Sequence, residues 1–318
     1  MAGNDVLRDR LVVLVGGSGF FGRHLAQELL ARGARLRIAS RRPERAFAIK
    51  PLGALGQVQF VRCDVTRPER LGAVLAGADA VVNLVGAFAG DLDRVQGKGA
   101  GAVAAAAAAA GAKAFVQVSA IGADAESAVA YARTKGEGEA AVRQAFPGAT
   151  IVRPSLMFGP DDTFLSMFGG LVETFPVLPV FAPGAKLQPV FVDDAAEAVA
   201  HALGDPAAHG GKTYELAGPE VLTMLELNQR IVAAERRRTV LVPLPDDISG
   251  AIAALTGWLP GAPITRAQWK LLKAGNVASG NLPGCAELGV TPRPLGLFLD
   301  RWMTRFRKFG RFGTKAAA

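Results

Sequence analysis

The sequence predicts an α/β protein, a doubly wound parallel sheet in the first half of the chain followed by a smaller C-terminal lobe. Three observations lead there. Leu11-Val12-Val13-Leu14-Val15 is an apolar run suited to a strand buried on both faces. It passes directly into Gly16-Gly17-Ser18-Gly19-Phe20-Phe21-Gly22 and a helix marked by Leu25, Leu29 and Leu30. Further short apolar runs then alternate with helical stretches at the interval of right-handed βαβ crossovers. Beyond Arg153 the pattern loosens into aromatic-rich segments interrupted by Pro and Gly.

The glycines after the first strand carry a chemical meaning. A pyrophosphate can rest on the free N–H groups and positive end of a helix only if no side chain blocks it and the turn can take unusual dihedrals. Gly16, Gly19 and Gly22 satisfy G-x-x-G-x-x-G, while Gly17, Gly19 and Gly22 satisfy G-x-G-x-x-G, so spacing leaves both dinucleotide-binding variants open. A tight turn without a ligand is the alternative.

Arg35 to Ser40 predicts the second strand, ended by Arg41-Arg42-Pro43. An acid at this strand end would bond the 2′-hydroxyl of NAD. Ser40, Arg41 and Arg42 stand there instead, and guanidinium forks suit a 2′-phosphate, so the expected cofactor is NADPH, with NADP(H) preferred over NAD(H). Two solvated surface arginines are the plain alternative. The third strand, Gln57 to Val61, leads to Asp64, and the fourth, Asp79 to Val85, contains Asn83. Seven consecutive alanines, Ala104 to Ala110, predict a helix packed closely on its neighbours.

A fifth strand, Phe115 to Val118, delivers Ser119, and Tyr131 opens a helix running to about Phe146. Tyr131 and Lys135, four apart, share one helical face. A phenol titrates near 10 and needs a cation to favour phenolate, which Lys135 can supply. Ser119 can hydrogen-bond a substrate carbonyl, which makes Ser119, Tyr131 and Lys135 the candidate catalytic set. Taken singly, Asp64 can be a capping acid, Asn83 a turn residue and Ser119 a satisfied loop hydroxyl.

At 318 residues, half of them hydrophobic, the chain can bury a sizeable core. The expected divisions are a Rossmann-type dinucleotide-binding domain over 1–155, a mixed region over 156–294 that partly forms the substrate lobe, and a C-terminal helix and tail over 295–318. Cys63 and Cys285 lie far apart, and His24, His201 and His209 show no ligand spacing, so neither a disulfide framework nor a metal is expected. The apolar run after Arg10 is too short for a signal peptide, and no stretch reaches bilayer-spanning length uninterrupted. The expected location is cytoplasmic.

The motifs in order resemble the short-chain dehydrogenase/reductase superfamily in its extended, atypical form. The resemblance runs from the Gly16 to Gly22 loop through Asp64, Asn83, Ser119, Tyr131 and Lys135 to Arg153-Pro154 and Phe158-Gly159-Pro160. It continues into Gln188-Pro189-Val190-Phe191-Val192-Asp193-Asp194 and Tyr214-Glu215-Leu216-Ala217-Gly218-Pro219. Val118-Ser119-Ala120-Ile121-Gly122-Ala123-Asp124, Tyr131-Ala132-Arg133-Thr134-Lys135-Gly136 and Ala262-Pro263-Ile264-Thr265 look like bacterial relatives of the NADPH-binding accessory subunit of respiratory complex I, the ninth of its alpha subcomplex.

That likeness implies a pyrophosphate on Gly16, Gly17, Ser18, Gly19, Phe20, Phe21 and Gly22. It also implies a 2′-phosphate on Arg41 and Arg42, adenine at Asp64, the middle of the cofactor at Asn83, and the nicotinamide ribose on Tyr131 and Lys135. It further implies an accessory or assembly role with complex I or quinone-pathway proteins as partners. The alternative is an active NAD(P)H-dependent reductase or epimerase using Ser119, Tyr131 and Lys135.

Phe158, Phe164, Met167, Phe168, Phe175 and Phe181 crowd the lobe and suit either a greasy substrate or a small internal core. The formal charge of +8 suits an anionic partner. At the C-terminus, Leu295, Leu299, Trp302, Phe306 and Phe309 repeat as one helical stripe beside Arg301, Arg305, Arg307, Lys308 and Arg311. Such a helix can dock on its own domain, on a partner, or on an anionic membrane surface, which would place the protein peripherally on the inner face of the plasma membrane. No nucleic acid is expected, because no RNA-binding module or aromatic stacking platform is visible.

Overall fold

The computed structural model describes residues 6–256 and 266–312. Ala262-Pro263-Ile264-Thr265 and Trp258 lie outside the described residues. The chain forms two compact units. Unit 1 holds 1–154, 192–216 and 279–291, and unit 2 holds 155–191, 217–278 and 292–318.

Unit 1 is built on seven strands: β1 (Leu11–Val15), β2 (Arg35–Ser40), β3 (Val58–Arg62), β4 (Ala80–Asn83), β5 (Ala114–Val118), β6 (Thr150–Pro154) and β7 (Thr213–Leu216). They lie in the order β7-β6-β5-β4-β1-β2-β3, all parallel. This is the doubly wound sheet read from the sequence. The winding reverses between β1 and β4, so a crevice opens at their carboxyl ends. Register carries the polar strand ends to that edge: Val15 pairs with Ala39 and Asn83, and Asn83 with Gln117. Val12, Val13 and Leu14 are fully buried, as a strand covered on both faces requires.

The longest helices of unit 1 are α1 (Phe20–Ala31), α2 (Gly99–Ala109), α3 (Ala130–Ala145) and α4 (Val192–Gly204). The alanine run lies in α2, where Val103, Ala104 and Ala107 are fully buried. A Cβ on Gly101 would stand 2.8 Å from the Ala141 methyl, so α2 and α3 approach closely and need small residues. A hydrogen bond and an ion pair tie elements together. His24 on α1 meets Asp193 on α4 at 2.6 Å, and Arg153 on β6 donates two bonds of 2.8 Å to Glu139 on α3.

In unit 2, helix Thr163–Thr174 is capped by Asp162 and helix Met224–Glu235 by a Thr223/Glu226 capping box. The single amphipathic helix expected over 295–309 is broken. Gly296–Trp302 is a seven-residue helix, Met303–Phe306 tightens into a 3-10 turn, and Arg307 is extended at φ −70, ψ 139. Tertiary hydrogen bonds explain the break. Arg237 donates to the Phe306 carbonyl at 2.7 Å, and Arg307 donates to the Ala234 carbonyl at 2.8 Å and to Asp300 at 3.0 Å.

The first part of the expected stripe faces inward, while Phe309 at its end is exposed. Leu295, Leu299 and Met303 are buried, while Trp302 stacks on Phe298, which stacks on Phe191. Docking on the chain's own domain therefore accounts for most of the apolar periodicity. Among the described residues no helix is long and apolar enough to cross a membrane, and no metal-ligating cluster occurs.

Glu235, at the end of its helix, is buried with neither carboxyl oxygen hydrogen-bonded. Burial pushes its carboxyl up to about 8, with Arg237 opposing and Glu173 adding to the shift. A folded-state value raised above the unfolded 4.5 stabilises below that value, and the contribution is lost as pH rises through about 8. Glu235→Gln should therefore unfold at a higher temperature than the parent above that pH and at nearly the same temperature in acid. Thermal denaturation across the pH range checks this.

Candidate functional site

The glycine motif runs from the end of β1 into α1, and three of its four glycines are required by the fold. Gly16 takes φ +84, which side chains rarely adopt. A Cβ on Gly17 would stand 2.7 Å from that of Leu14, and one on Gly22 would stand 2.5 Å from the Gly17 carbonyl, so the first turn of α1 rests on the loop backbone. Gly19 has no such reason. Its φ −76 and ψ 177 are open to any residue, and a Cβ there would meet only the Gly16 carbonyl at 3.6 Å.

The start of α1 has neither a side-chain cap nor an acid in its first turn. Its free N–H groups and positive end are thus left for an outside anion, and glycine at position 19 keeps the approach clear. Phe21 is buried core, and Phe20 packs edge-on against His24.

Ser40 ends β2 buried, with its hydroxyl unpartnered. Arg41 and Arg42 follow, both exposed. Asp64 lies beside this edge and accepts from the Thr66 hydroxyl at 2.8 Å and N–H at 3.0 Å. Those bonds, with Arg41 and Arg67 nearby, hold its carboxyl below the usual carboxylate range. Asp64 thus closes a local turn with Thr66 and does not cap the helical turn at Pro68–Arg70, whose N-cap is Arg67. Asn83 is fully engaged inside the sheet, donating to the Gln117 side chain at 2.9 Å and accepting from Val85 N at 3.2 Å. It shapes the edge rather than presenting a free amide.

Ser119 leaves β5 buried, its hydroxyl also without a partner. Tyr131 and Lys135 stand one turn apart on α3. Lys135 is buried and donates to the Val118 carbonyl at 3.1 Å and the Val85 carbonyl at 3.3 Å, bridging the ends of β5 and β4. The three residues therefore gather at one edge, but the expected electrostatics differ. Burial pulls the Lys135 ammonium down to about 8 against the opposing charge of Glu139, and burial pushes the Tyr131 phenol up to about 12. At neutral pH the phenol stays protonated, so it can donate a proton but not take one.

A family model described as NAD(P)H-binding matches residues 16–164. The mitochondrial NADH dehydrogenase (ubiquinone) 1 alpha subcomplex subunit 9 of Arabidopsis thaliana is 32% identical over 324 residues, covering 96% of this chain and 80% of the relative. The chain belongs to the family of that complex I subunit. A ceramide reductase of Caulobacter vibrioides is 36% identical over 190 residues, or 58% of each chain. The triphenylmethane reductase of Citrobacter sp., solved with NADP(H), shares the fold with a TM-score of 0.71 at 20% identity, covering 93% of this chain and 99% of that one. The chain is thus an NAD(P)H-binding member of the subunit 9 family on a short-chain dehydrogenase/reductase fold.

Two residues at this edge of the subunit 9 family fold escaped the sequence reading. Gln96 is buried in a π-helical turn over Asp93–Lys98 that leads into α2. It accepts from Ala87 N at 3.2 Å and donates to the Thr134 hydroxyl at 2.8 Å, tethering the loop after β4 to α3. Phe88 on that loop is 73% exposed yet stacks flat on Tyr131, with centroids 4.8 Å apart and an interplanar angle of 12°. A glutamine in a polar stretch and a lone aromatic in a loop carry no periodic signal; only the Asp93–Lys98 π-turn marks the place.

Proposed function

We propose that this protein holds NADPH at the carboxyl edge of its parallel sheet and acts as an accessory or assembly protein of respiratory complex I or of quinone metabolism. The open approach at Gly19 to an uncapped helix start carries the nucleotide reading. Gly16, Gly17, Ser18, Gly19 and Gly22 would cradle the pyrophosphate. Ser40, Arg41 and Arg42 would hold the 2′-phosphate, and Tyr131 with Lys135 the nicotinamide ribose. The hydroxyls of Ser40 and Ser119, buried without partners, fit a site completed by a ligand.

The family relation to the complex I subunit supports the accessory role, and the Phe88 ring stacked on Tyr131 supports holding over turnover. In this reading the protein is cytoplasmic and lies peripherally against the anionic inner face of the plasma membrane through its basic C-terminal segment.

The unpartnered Ser119 hydroxyl favours a second reading, an NADPH-dependent reductase. Bound NADPH supplies a hydride. Ser119 would orient a carbonyl, Lys135 would keep its place under the ribose, and the neutral Tyr131 would deliver the proton to the carbonyl oxygen, so the reductive direction is the one this chain can serve.

Replacing Arg41 and Arg42 together with alanine should weaken NADPH binding by roughly tenfold or more and leave NADH binding nearly unchanged, because only NADPH carries the extra phosphate. Equal losses for both nucleotides would remove the preference for NADPH. In the same samples, NADPH absorbance is followed with added quinones and carbonyl compounds. The accessory reading expects no turnover, and turnover lost in Tyr131→Phe would replace it with the reductase.

A further inference from the structure

Because the first part of the apolar stripe of the C-terminal segment faces inward, its opposite side is left with a different composition. Leu297 and Arg301, one helical turn apart, both point outward there, and Leu297 is 67% exposed. Within unit 2 a cleft of ≈ 410 Å³ is lined by Arg301, Arg305 and Arg311 together with Trp302, Thr304 and Pro160. Three arginines contribute to its lining, and no acidic residue is among the described lining residues.

Arg305 is held in place, donating to Ser166 Oγ at 2.6 Å with its guanidinium 4.8 Å from the Phe306 ring centroid. Three acids lie near it in the chain: the exposed Asp161 beside Pro160, Asp162, whose charge acts on Arg305, and Asp300. Asp162 is buried and caps its helix through Leu165 N, and Asp300 pairs with Arg307. Directly before Gly310 in the chain, Phe309 is 68% exposed, with Lys308 5.5 Å from its ring centroid.

We propose that this cleft is a binding site for the phosphate of an anionic phospholipid, with Leu297 and Phe309 entering the boundary between headgroups and acyl chains. The inference rests on the membrane-surface reading of the C-terminal segment and replaces its helical stripe with a defined site. Arginine forks match phosphate oxygens, and each basic side chain close to an anionic surface strengthens binding by roughly fivefold. A soluble phosphate would use the arginines but has no use for two large apolar side chains in water, whereas an amphiphile uses both.

The test is sedimentation of the full chain with phosphatidylcholine vesicles, with and without phosphatidylglycerol, alongside an NADPH titration of the same samples. The expected result is binding only to vesicles containing phosphatidylglycerol. It should be weakened roughly tenfold or more by Arg301→Gln with Arg311→Gln, and weakened also by Leu297→Ser with Phe309→Ser, while NADPH affinity and melting temperature hold at parental values in both variants. Equal sedimentation with both kinds of vesicle, none with either, or insensitivity to the arginine pair would overturn the site. Inorganic phosphate that stabilises the parent but not the arginine variant, without vesicle binding, would make the cleft a soluble-anion site instead. Because NADPH is titrated separately, a parent protein that binds NADPH but no vesicles rejects this site alone, and one that binds vesicles but no NADPH rejects the nucleotide reading alone.

Discussion

Gly19→Leu is expected to leave the fold in place and to weaken nucleotide binding by roughly a hundredfold or more, about 2.8 kcal/mol. The backbone at Gly19 is already in a region open to leucine, and a Cβ there meets nothing closer than 3.6 Å. Stability should change by less than about 1 kcal/mol. The new side chain would stand over the uncapped start of α1, where a pyrophosphate needs the backbone N–H groups. Gly22→Leu cannot make this separation, because its Cβ collides with the Gly17 backbone and the protein would fail to fold. Calorimetric NADPH titration and thermal melting of the Gly19 variant check both halves of the expectation. A variant that melts with the parent and binds as tightly would show that the glycine serves no ligand.

Arg153→Met carries the largest expected cost in stability. Glu139 is 2% exposed and accepts two bonds of 2.8 Å from the Arg153 guanidinium. Truncating one partner leaves a carboxylate stranded out of water, which costs about 3–5 kcal/mol. Arg143, 3.6 Å from the same carboxylate, should keep the loss toward the lower figure. Glu139 lies one turn beyond Lys135 on α3 and supports its charge, a support that Arg153→Met leaves in place. Glu139→Gln with Arg153→Met removes both charges and should recover part of the lost stability, measured by urea denaturation.

Much of the sheet could be read from the sequence because its signals are local. Five apolar residues in a row, a glycine turn and a run of alanines each name an element without knowledge of the rest of the chain. Burial then follows from parallel packing, as Val12, Val13 and Leu14 show. The C-terminal segment shows where local periodicity stops. Its apolar spacing correctly marks one face, but the length of the helix is decided by Arg237 and Arg307 bonding carbonyls from elsewhere in unit 2. No window of sequence around residue 306 contains that information.

The candidate site divides in the same way. The helical spacing of Tyr131 and Lys135 and the strand end at Ser119 were readable. The protonation of the pair was not, because it depends on how deeply the two side chains are buried and on the Glu139 charge beside Lys135. Phe88 and Gln96 were invisible for a related reason: their roles come from a loop laid over α3, a contact made across 43 and 38 positions of sequence respectively. The glycine loop gained the most from the structure. Two registers fitted the sequence, and geometry gives Gly16, Gly17 and Gly22 to the fold, leaving Gly19 as the position whose glycine the fold does not need.

In the proposed function this edge of the sheet holds NADPH. Calorimetric titration of the purified full chain with NADPH, and separately with NADH, tests it most directly. Saturable binding of one NADPH per chain is expected, tighter than NADH by roughly tenfold or more. No heat of binding with either nucleotide, in protein shown to be folded by its melting transition, would contradict it.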